Sequence, residues 1–321
     1  MSTPDLNESL VVGVASSALF DLSESDRVFR EQGVVKYEEF QAENQHHPLE
    51  PGIAFPFIQR LLGLNALQEN LVEVIVMSRN SPASGLRVMD SIKHHDLPIS
   101  RAIFRRGLGA EDFMSAFNMS LFLSANEADV RHAIEAGQPA GQVMTSSPLL
   151  DHEGESLRIA FDFDGVLADD SAEQVYQSEG MEEYQRHEAS RAEIPLTPGP
   201  LYKFLQAVNK IQTAEDKAVE QDRDYKRRLR VSLVTARNAP AHERAIRSLM
   251  SWGLQVDDAF FLGGLPKSTV LNVLKPHIFF DDQQRHFEGV SAPAVYVPFG
   301  ELNKTAPSAA STAAADSEQE D

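Results

Sequence analysis

The chain has 321 residues, enough for two hydrophobic cores, with 42% hydrophobic and 24% charged residues in an ordinary globular balance. It contains no cysteine, which excludes disulfides, thiolate nucleophiles and Cys-ligated zinc. A formal net charge of −19 repels nucleic acid over most of the surface, so any phosphate-bearing ligand must be small and met by local positive charge or a cation.

The opening "MSTPDLNESL" has neither the basic start nor the apolar core of a signal peptide. No apolar run approaches the roughly 18 to 20 residues needed to cross a bilayer. The expectation is a cytoplasmic protein without a membrane partner. Short β-branched or aromatic strands then alternate with helical stretches, as in "EVIVMSRNSPA" (73–83), "AIFRRGLGA" (102–110) and "LFLSA" (121–125). His46-His47 and His94-His95 lack the partner spacing of a metal site and read as solvated histidines.

Past "PLLDHEGES" (148–156), the expected boundary, the pattern begins again. Shifting the first half by 147 places Ala15 on Asp162, and the ungapped register holds as far as Gln59 on Gln206. Ten of these 45 positions are identical, where average residue usage gives about three. "PLEPG" (48–52) falls on "PLTPG" (195–199). At shifts of 158 and 157, the three strand segments above fall on 231–241, 259–267 and 278–282. The expected fold is therefore α/β, with two tandem Rossmann-like parallel-sheet halves related by an internal repeat, residues 1–150 and 151–303. The Ala/Ser-rich acidic tail, 304–321, is expected to be disordered. Helices are expected at about 171–190 and 200–228, and Trp252 and Phe260-Phe261 as core.

Ligands of parallel sheets gather at the carboxyl ends of the strands. There the second half carries Asp162 and Asp164 after "RIAF", Thr235 after "VSLV", Lys267 in "LGGLPKS", and Asp281 and Asp282 after "HIFF". The corresponding first-half residues are Ala15, Ser17, Met77, Ala110, Ser124 and Ala125, so each candidate chemical group is missing from the first half while its scaffold remains. The six positions support phosphoryl transfer. A carboxylate attacks phosphorus if a divalent cation offsets the repulsion, and a second carboxyl two residues on protonates the leaving oxygen. Residues i and i+2 of a strand face the same way, so Asp162 and Asp164 share one site. Thr235 offers a hydroxyl, Lys267 a point charge, and Asp281 with Asp282 complete an all-oxygen shell that suits Mg²⁺.

In "IAFDFDGVL", "LVTAR", "PKS" and "FFDDQ" the second half resembles the haloacid dehalogenase superfamily of phosphatases. A wider set, "VASSALFD", "PLEPGIAFP", "VIVMSRNSP", "FNMSLFLSANEADV", "FDFDGVL" and "VTARNAPAHERAI", is similar to the cytosolic 5′-nucleotidase I family. The resemblance implies Mg²⁺-dependent hydrolysis of nucleoside 5′-monophosphates, AMP typically among them. It implies Asp162 as nucleophile, Asp164 as acid and base, Thr235 and Lys267 as phosphate binders, and Asp281 or Asp282 on the metal beside Asp162 and Asp164. It also implies a helical cap over the site at about 168–230.

Alternatives are a sugar-phosphate phosphatase or phosphomutase of the same superfamily, or a non-enzymatic nucleotide-binding regulator. Arg79-Asn80 and Arg237-Asn238, retained in both halves, either fix the strand-to-helix turn or reach a substrate or effector.

Overall fold

The computed structural model describes residues 5–144 and 154–304, so the tail beyond 304 and all of the expected boundary except 154–156 lie outside the described residues. The described strands are β1 (Leu10–Ala15), β2 (Val72–Ser78), β3 (Arg101–Phe104), β4 (Leu121–Ser124), β5 (Ala140–Val143), β6 (Leu157–Phe161), β7 (Leu229–Thr235), β8 (Asp258–Phe261), β9 (Ile278–Asp281) and β10 (Ala294–Tyr296). They form one sheet in the order β3-β2-β1-β4-β5-β10-β9-β6-β7-β8. All neighbours run parallel except β5 and β10, which pair antiparallel at Val143–Val295 and Gln142–Tyr296.

The helices are α1 (Ser16–Leu19), α2 (Ser23–Glu43), α3 (Phe55–Gly63), α4 (Gly85–His94), α5 (Glu127–Glu135), α6 (Ser171–Ser190), α7 (Tyr202–Gln221), α8 (His242–Ser251), α9 (Ser268–Leu274) and α10 (Glu301–Lys304). Among the described residues, no helix is long and apolar enough to cross a membrane.

Central strands such as "LVVGVA" and "RIAF" are apolar on both faces because helices cover both. Their side chains alternate between the two faces, as period-two geometry requires. Val12, Val14, Phe161 and Phe280 enter one large core with α3, α4, α7 and α8. Val11 and Ile75 enter a smaller cluster with α5 on the other face. Ala160 and Phe279 enter another with α9. The large core is continuous along the sheet from β1 to β9, so the two ends of the sheet share it.

From each outer edge inward the strands follow one order: β3-β2-β1-β4-β5 on one side, β8-β7-β6-β9-β10 on the other. Local detail agrees with it. α2 and α6 both break at a glycine in the same left-handed conformation, Gly33 (φ 81°) and Gly180 (φ 84°), which an L side chain rarely adopts. The Leu49 N–H donates to Ser91 at 2.9 Å, and the Leu196 N–H to Ser248 at 3.0 Å. Arg87 donates to the His47 carbonyl at 3.0 Å, and Arg244 to the Ile194 carbonyl at 2.8 Å.

The segment expected as a cap divides in two. α7 buries Phe204, Leu205, Val208 and Ile211 in the large core and acts as the crossover helix, ending at Gln221 rather than near 228. Only α6 and the loops flanking it stand over the carboxyl end of β6.

At the β5–β10 seam, a Cβ on Gly141 would lie 2.3 Å from Val295 Cγ1. Gly141→Leu is expected to destabilise the protein by about 1–3 kcal/mol through overpacking, read as a lower urea midpoint. An unchanged midpoint would show that the seam is loose.

Candidate active site

The apolar run of β6 ends at Asp162, whose N–H donates to the Phe280 carbonyl at 2.8 Å and so extends the pairing with β9. The next side chain, Phe163, is fully buried and stacks on Trp252, with ring centres 6.2 Å apart. Gly165 then turns the chain at φ 70°, where an added Cβ would fall 2.4 Å from an Asp282 carboxylate oxygen. Glycine is thus required both for the turn and for the approach of this loop to Asp282.

Lys267, reached from β8 through the loop "LGGLP", places Nζ 2.7 Å from Asp162 Oδ2 and 2.6 Å from Asp281 Oδ2. All three groups are buried. His286 Nδ1 lies 3.0 Å from each Asp281 oxygen. Burial pushes Asp162 up to about 6, against the pull of Lys267. Burial would also raise Asp281, but Lys267 and His286 outweigh it and hold that carboxyl below the ordinary range. Desolvation disfavours the Lys267 ammonium, yet the two carboxylates keep it above the ordinary lysine range.

Asp282 is different. It is buried, its Oδ1 has no hydrogen-bond partner, and burial together with Asp281 and Asp162 pushes its carboxyl well above the usual range. A buried carboxylate oxygen without a partner is costly and marks a place for a cation. Ligand atoms of Asp162, Asp281 and His286 also lie within 4.8 Å of one another. The Lys267 ammonium already bridges the first two of these residues, so the unpartnered oxygen of Asp282 is the better indicator of where a divalent ion fits.

Asp164 faces a second network. Arg237 donates to both of its oxygens, at 2.8 and 2.6 Å, and to Glu188 of α6 at 2.5 Å. Arg244 of α8 donates to the other Glu188 oxygen at 2.6 Å. Glu188 and Arg237 are essentially inaccessible to solvent. Burial works to raise Glu188, but the two guanidinium groups hold it below the ordinary carboxylate range. Thr235, also buried, accepts the Arg237 N–H at 3.3 Å at the end of β7.

The structure therefore brings Asp162, Asp164, Thr235, Arg237, Lys267, Asp281 and Asp282 to the carboxyl ends of β6, β7 and β9. Asn238 lies beside Gly263, at 3.3 Å from the Cβ a side chain there would have, and is not bonded into either network. Arg79 and Asn80 lie elsewhere: Arg79 pairs with Asp129 at the start of α5, and Asn80 accepts from Tyr37 at 2.7 Å. Because β5 and β10 are antiparallel, the carboxyl ends of the first five strands face the opposite edge of the sheet from Asp162. Arg79 and Asn80 therefore take no part in a site shared between the halves.

Three residues escaped the sequence reading: Glu188, Arg244 and His286. Glu188 is Gln41 in the 147 register, a polar-to-charged change confined to the half with the aspartates, and that was its available signal.

A family model described as 5′-nucleotidase matches residues 2–304. The human protein named cytosolic 5′-nucleotidase 1B is 30% identical over 305 residues, covering 92% of this chain and 50% of its own length. The chain thus spans about half the length of this curated relative. No solved structure matches. With the family model covering nearly the whole chain, including every residue of the converging strand-end site, the protein belongs to the 5′-nucleotidase family.

Proposed function

We propose that the chain hydrolyses nucleoside 5′-monophosphates of the AMP type to nucleoside and phosphate, with Mg²⁺, through an aspartyl-phosphate on Asp162. The observation that carries this reading is the pairing of a buried, strand-end Asp162 with the Lys267 ammonium, beside a buried and unpartnered Asp282. Family membership supports the substrate class, and the name of the human relative, a cytosolic 5′-nucleotidase, supports a cytoplasmic location.

Asp162 Oδ attacks phosphorus while the bond from phosphorus to the 5′ oxygen breaks, and Asp164, which takes up a proton on one oxygen released from the Arg237 fork while the other stays bound to it, gives that proton to the leaving oxygen. Water then attacks the phosphoryl group, loses its proton to Asp164, and the acyl-phosphate bond breaks to return the Asp162 carboxylate and release phosphate. Lys267 and the Thr235 hydroxyl meet the non-bridging oxygens. Asp162 and Asp282 are the carboxylates that would hold Mg²⁺, with Asp164 at the edge of the same site. When bound, Mg²⁺ supplies charge neutralisation between nucleophile and phosphate. Arg237 fixes the direction of the Asp164 carboxyl, and Glu188 fixes Arg237.

The same reading makes residues 1–150 a degenerate α/β half and 151–303 a catalytic, haloacid dehalogenase-like half, related by tandem repeat. The mirrored strand order, the paired glycine breaks and the matched Ser91 and Ser248 bonds support it. On this view α6 is the cap.

A phosphate-release panel of nucleoside monophosphates and sugar phosphates, with Mg²⁺ and with EDTA, tests the reading directly. Release from nucleoside monophosphates that is lost in EDTA is expected. Preference for a sugar phosphate, or full activity in EDTA, would overturn the substrate or the metal assignment respectively.

Asp162→Asn is expected to abolish turnover by roughly a thousandfold or more with the fold intact, because an amide forms no acyl-phosphate. Asp164→Asn should slow turnover by roughly 10² to 10⁴. Phosphate trapped on any residue other than Asp162 would refute the nucleophile.

Glu188→Gln leaves two buried guanidinium groups facing an amide. It is expected to lower stability by about 1.5–3 kcal/mol. It should also lower kcat about tenfold with KM nearly unchanged, since it touches no substrate and acts through the aim of Asp164. A variant that changed KM alone would place Glu188 in substrate binding instead.

A further inference from the structure

A cavity of about 650 Å³ opens in the first half at the carboxyl ends of β1, β2 and β4. Its volume is within the roughly 300–1,000 Å³ of small-molecule sites. Topologically it occupies the place that Asp162 and its neighbours occupy around β6, β7 and β9, but it faces the other edge of the sheet.

Its chemistry has changed with the residues. Ala15, Ser17 and Ala110 stand where the second half has Asp162, Asp164 and Lys267, so the cavity lacks the carboxylate pair and the ammonium. Its two arginines are already matched, Arg79 with Asp129 and Arg106 with Glu38 at 3.6 Å. Asp26 and Glu111 add further negative charge to the lining. A phosphate dianion would enter against this field.

An uncharged ligand meets a better surface. Phe29, Val34 and Leu108 line the cavity while remaining half exposed or more, an arrangement that leaves apolar area for a flat ring to cover. Phe29 is braced edge-on by Tyr37, with ring centres 5.8 Å apart. Below them Asn80 is oriented by a relay: Gln41 donates to the Tyr37 hydroxyl at 3.0 Å, which donates to Asn80 Oδ1 at 2.7 Å. With its oxygen taken, Asn80 is left with a buried amide Nδ2 that has no partner. Asn80 lines the cavity but this donor is covered at its wall, so a ligand ring nitrogen or carbonyl satisfies it by displacing the side chains over it.

We infer that this cavity is a second binding site, for a neutral nucleoside, seated between the apolar mouth and the Asn80 amide. Removing the phosphate-handling groups from a nucleotide site leaves a site for the part of the molecule that carries no phosphate. The choice of nucleoside among neutral heterocycles rests on the proposed activity, of which it is the uncharged product.

The test is adenosine binding to the full chain, followed by calorimetry and by hydrogen exchange. Adenosine is expected to protect segments 78–81 and 105–110. Asn80→Ala should weaken that binding about tenfold, and Ser17→Tyr, which fills the cavity, should abolish it. Both variants should keep the wild-type rate of AMP hydrolysis, because neither residue belongs to the Asp162 site. If Ser17→Tyr does not fold, Asn80→Ala alone decides. Protection confined to 162–167 and 235–238, undiminished binding by Asn80→Ala, or equal protection of the first half by inorganic phosphate would each overturn the inference. A chain that binds adenosine at 78–81 yet hydrolyses no nucleoside monophosphate would remove the proposed activity and leave this site standing.

Discussion

A single buried ammonium makes this site possible. The register of β6 against β9, with Phe161 opposite Phe280, sets Asp162 and Asp281 side by side at the strand ends. Two carboxylates so placed in a dry environment repel each other and lose their hydration, a cost of several kcal/mol per ion if nothing compensates. Lys267 compensates by lying within 2.7 Å of both. The compensation is incomplete, because Asp282 follows directly and has no such partner. Three acidic side chains around one ammonium leave the pocket short of positive charge.

The second network answers a different need. On the proposed mechanism Asp164 has to point in one direction, and a flexible side chain at the end of a strand does not do so unaided. The planar fork of Arg237 sets that direction through two parallel hydrogen bonds, and Glu188 and Arg244 lock the fork from behind. The first half has a comparable bond with less charge: Arg87 donates to neutral Gln41 at 3.0 Å, where Arg244 donates to Glu188. Ser17 and Gln41 occupy the positions that match Asp164 and Glu188, and Arg79 pairs with Asp129 instead.

The strand-end residues were legible in the sequence because each follows a short apolar run, and local patterning reports strand ends well. Repeating the reading at a fixed offset separated the frame from the chemistry, since Asp162 against Ala15 is visible without any structure. What stayed hidden depends on contacts distant in sequence. The β5–β10 pairing involves strands of four and three residues with no pattern of their own. Glu188 and Arg244 look like ordinary charges of helices until the fold excludes water from both. The expected end of α7 missed because charged "RDYKRR" continues a helix-like composition, whereas the chain leaves the helix at Asp222 in an extended conformation.

The antiparallel seam also separates the similar segments "SRNSP" and "ARNAP". It points the two sets of strand ends toward opposite edges of the sheet, so the two segments do not meet. Each copy instead serves its own neighbouring loop: the Gly107 N–H donates to the Arg79 carbonyl at 2.6 Å, and the Gly263 N–H to the Arg237 carbonyl at 3.2 Å. The backbone role is common to both halves and constrains the turn. The side chains differ: the Arg237 guanidinium also donates to the Ala241 carbonyl at 3.0 Å, closing its own turn, whereas Arg79 reaches out to Asp129. One arginine is held inward by an aspartate and a glutamate, while the other lies at the lining of an open cavity.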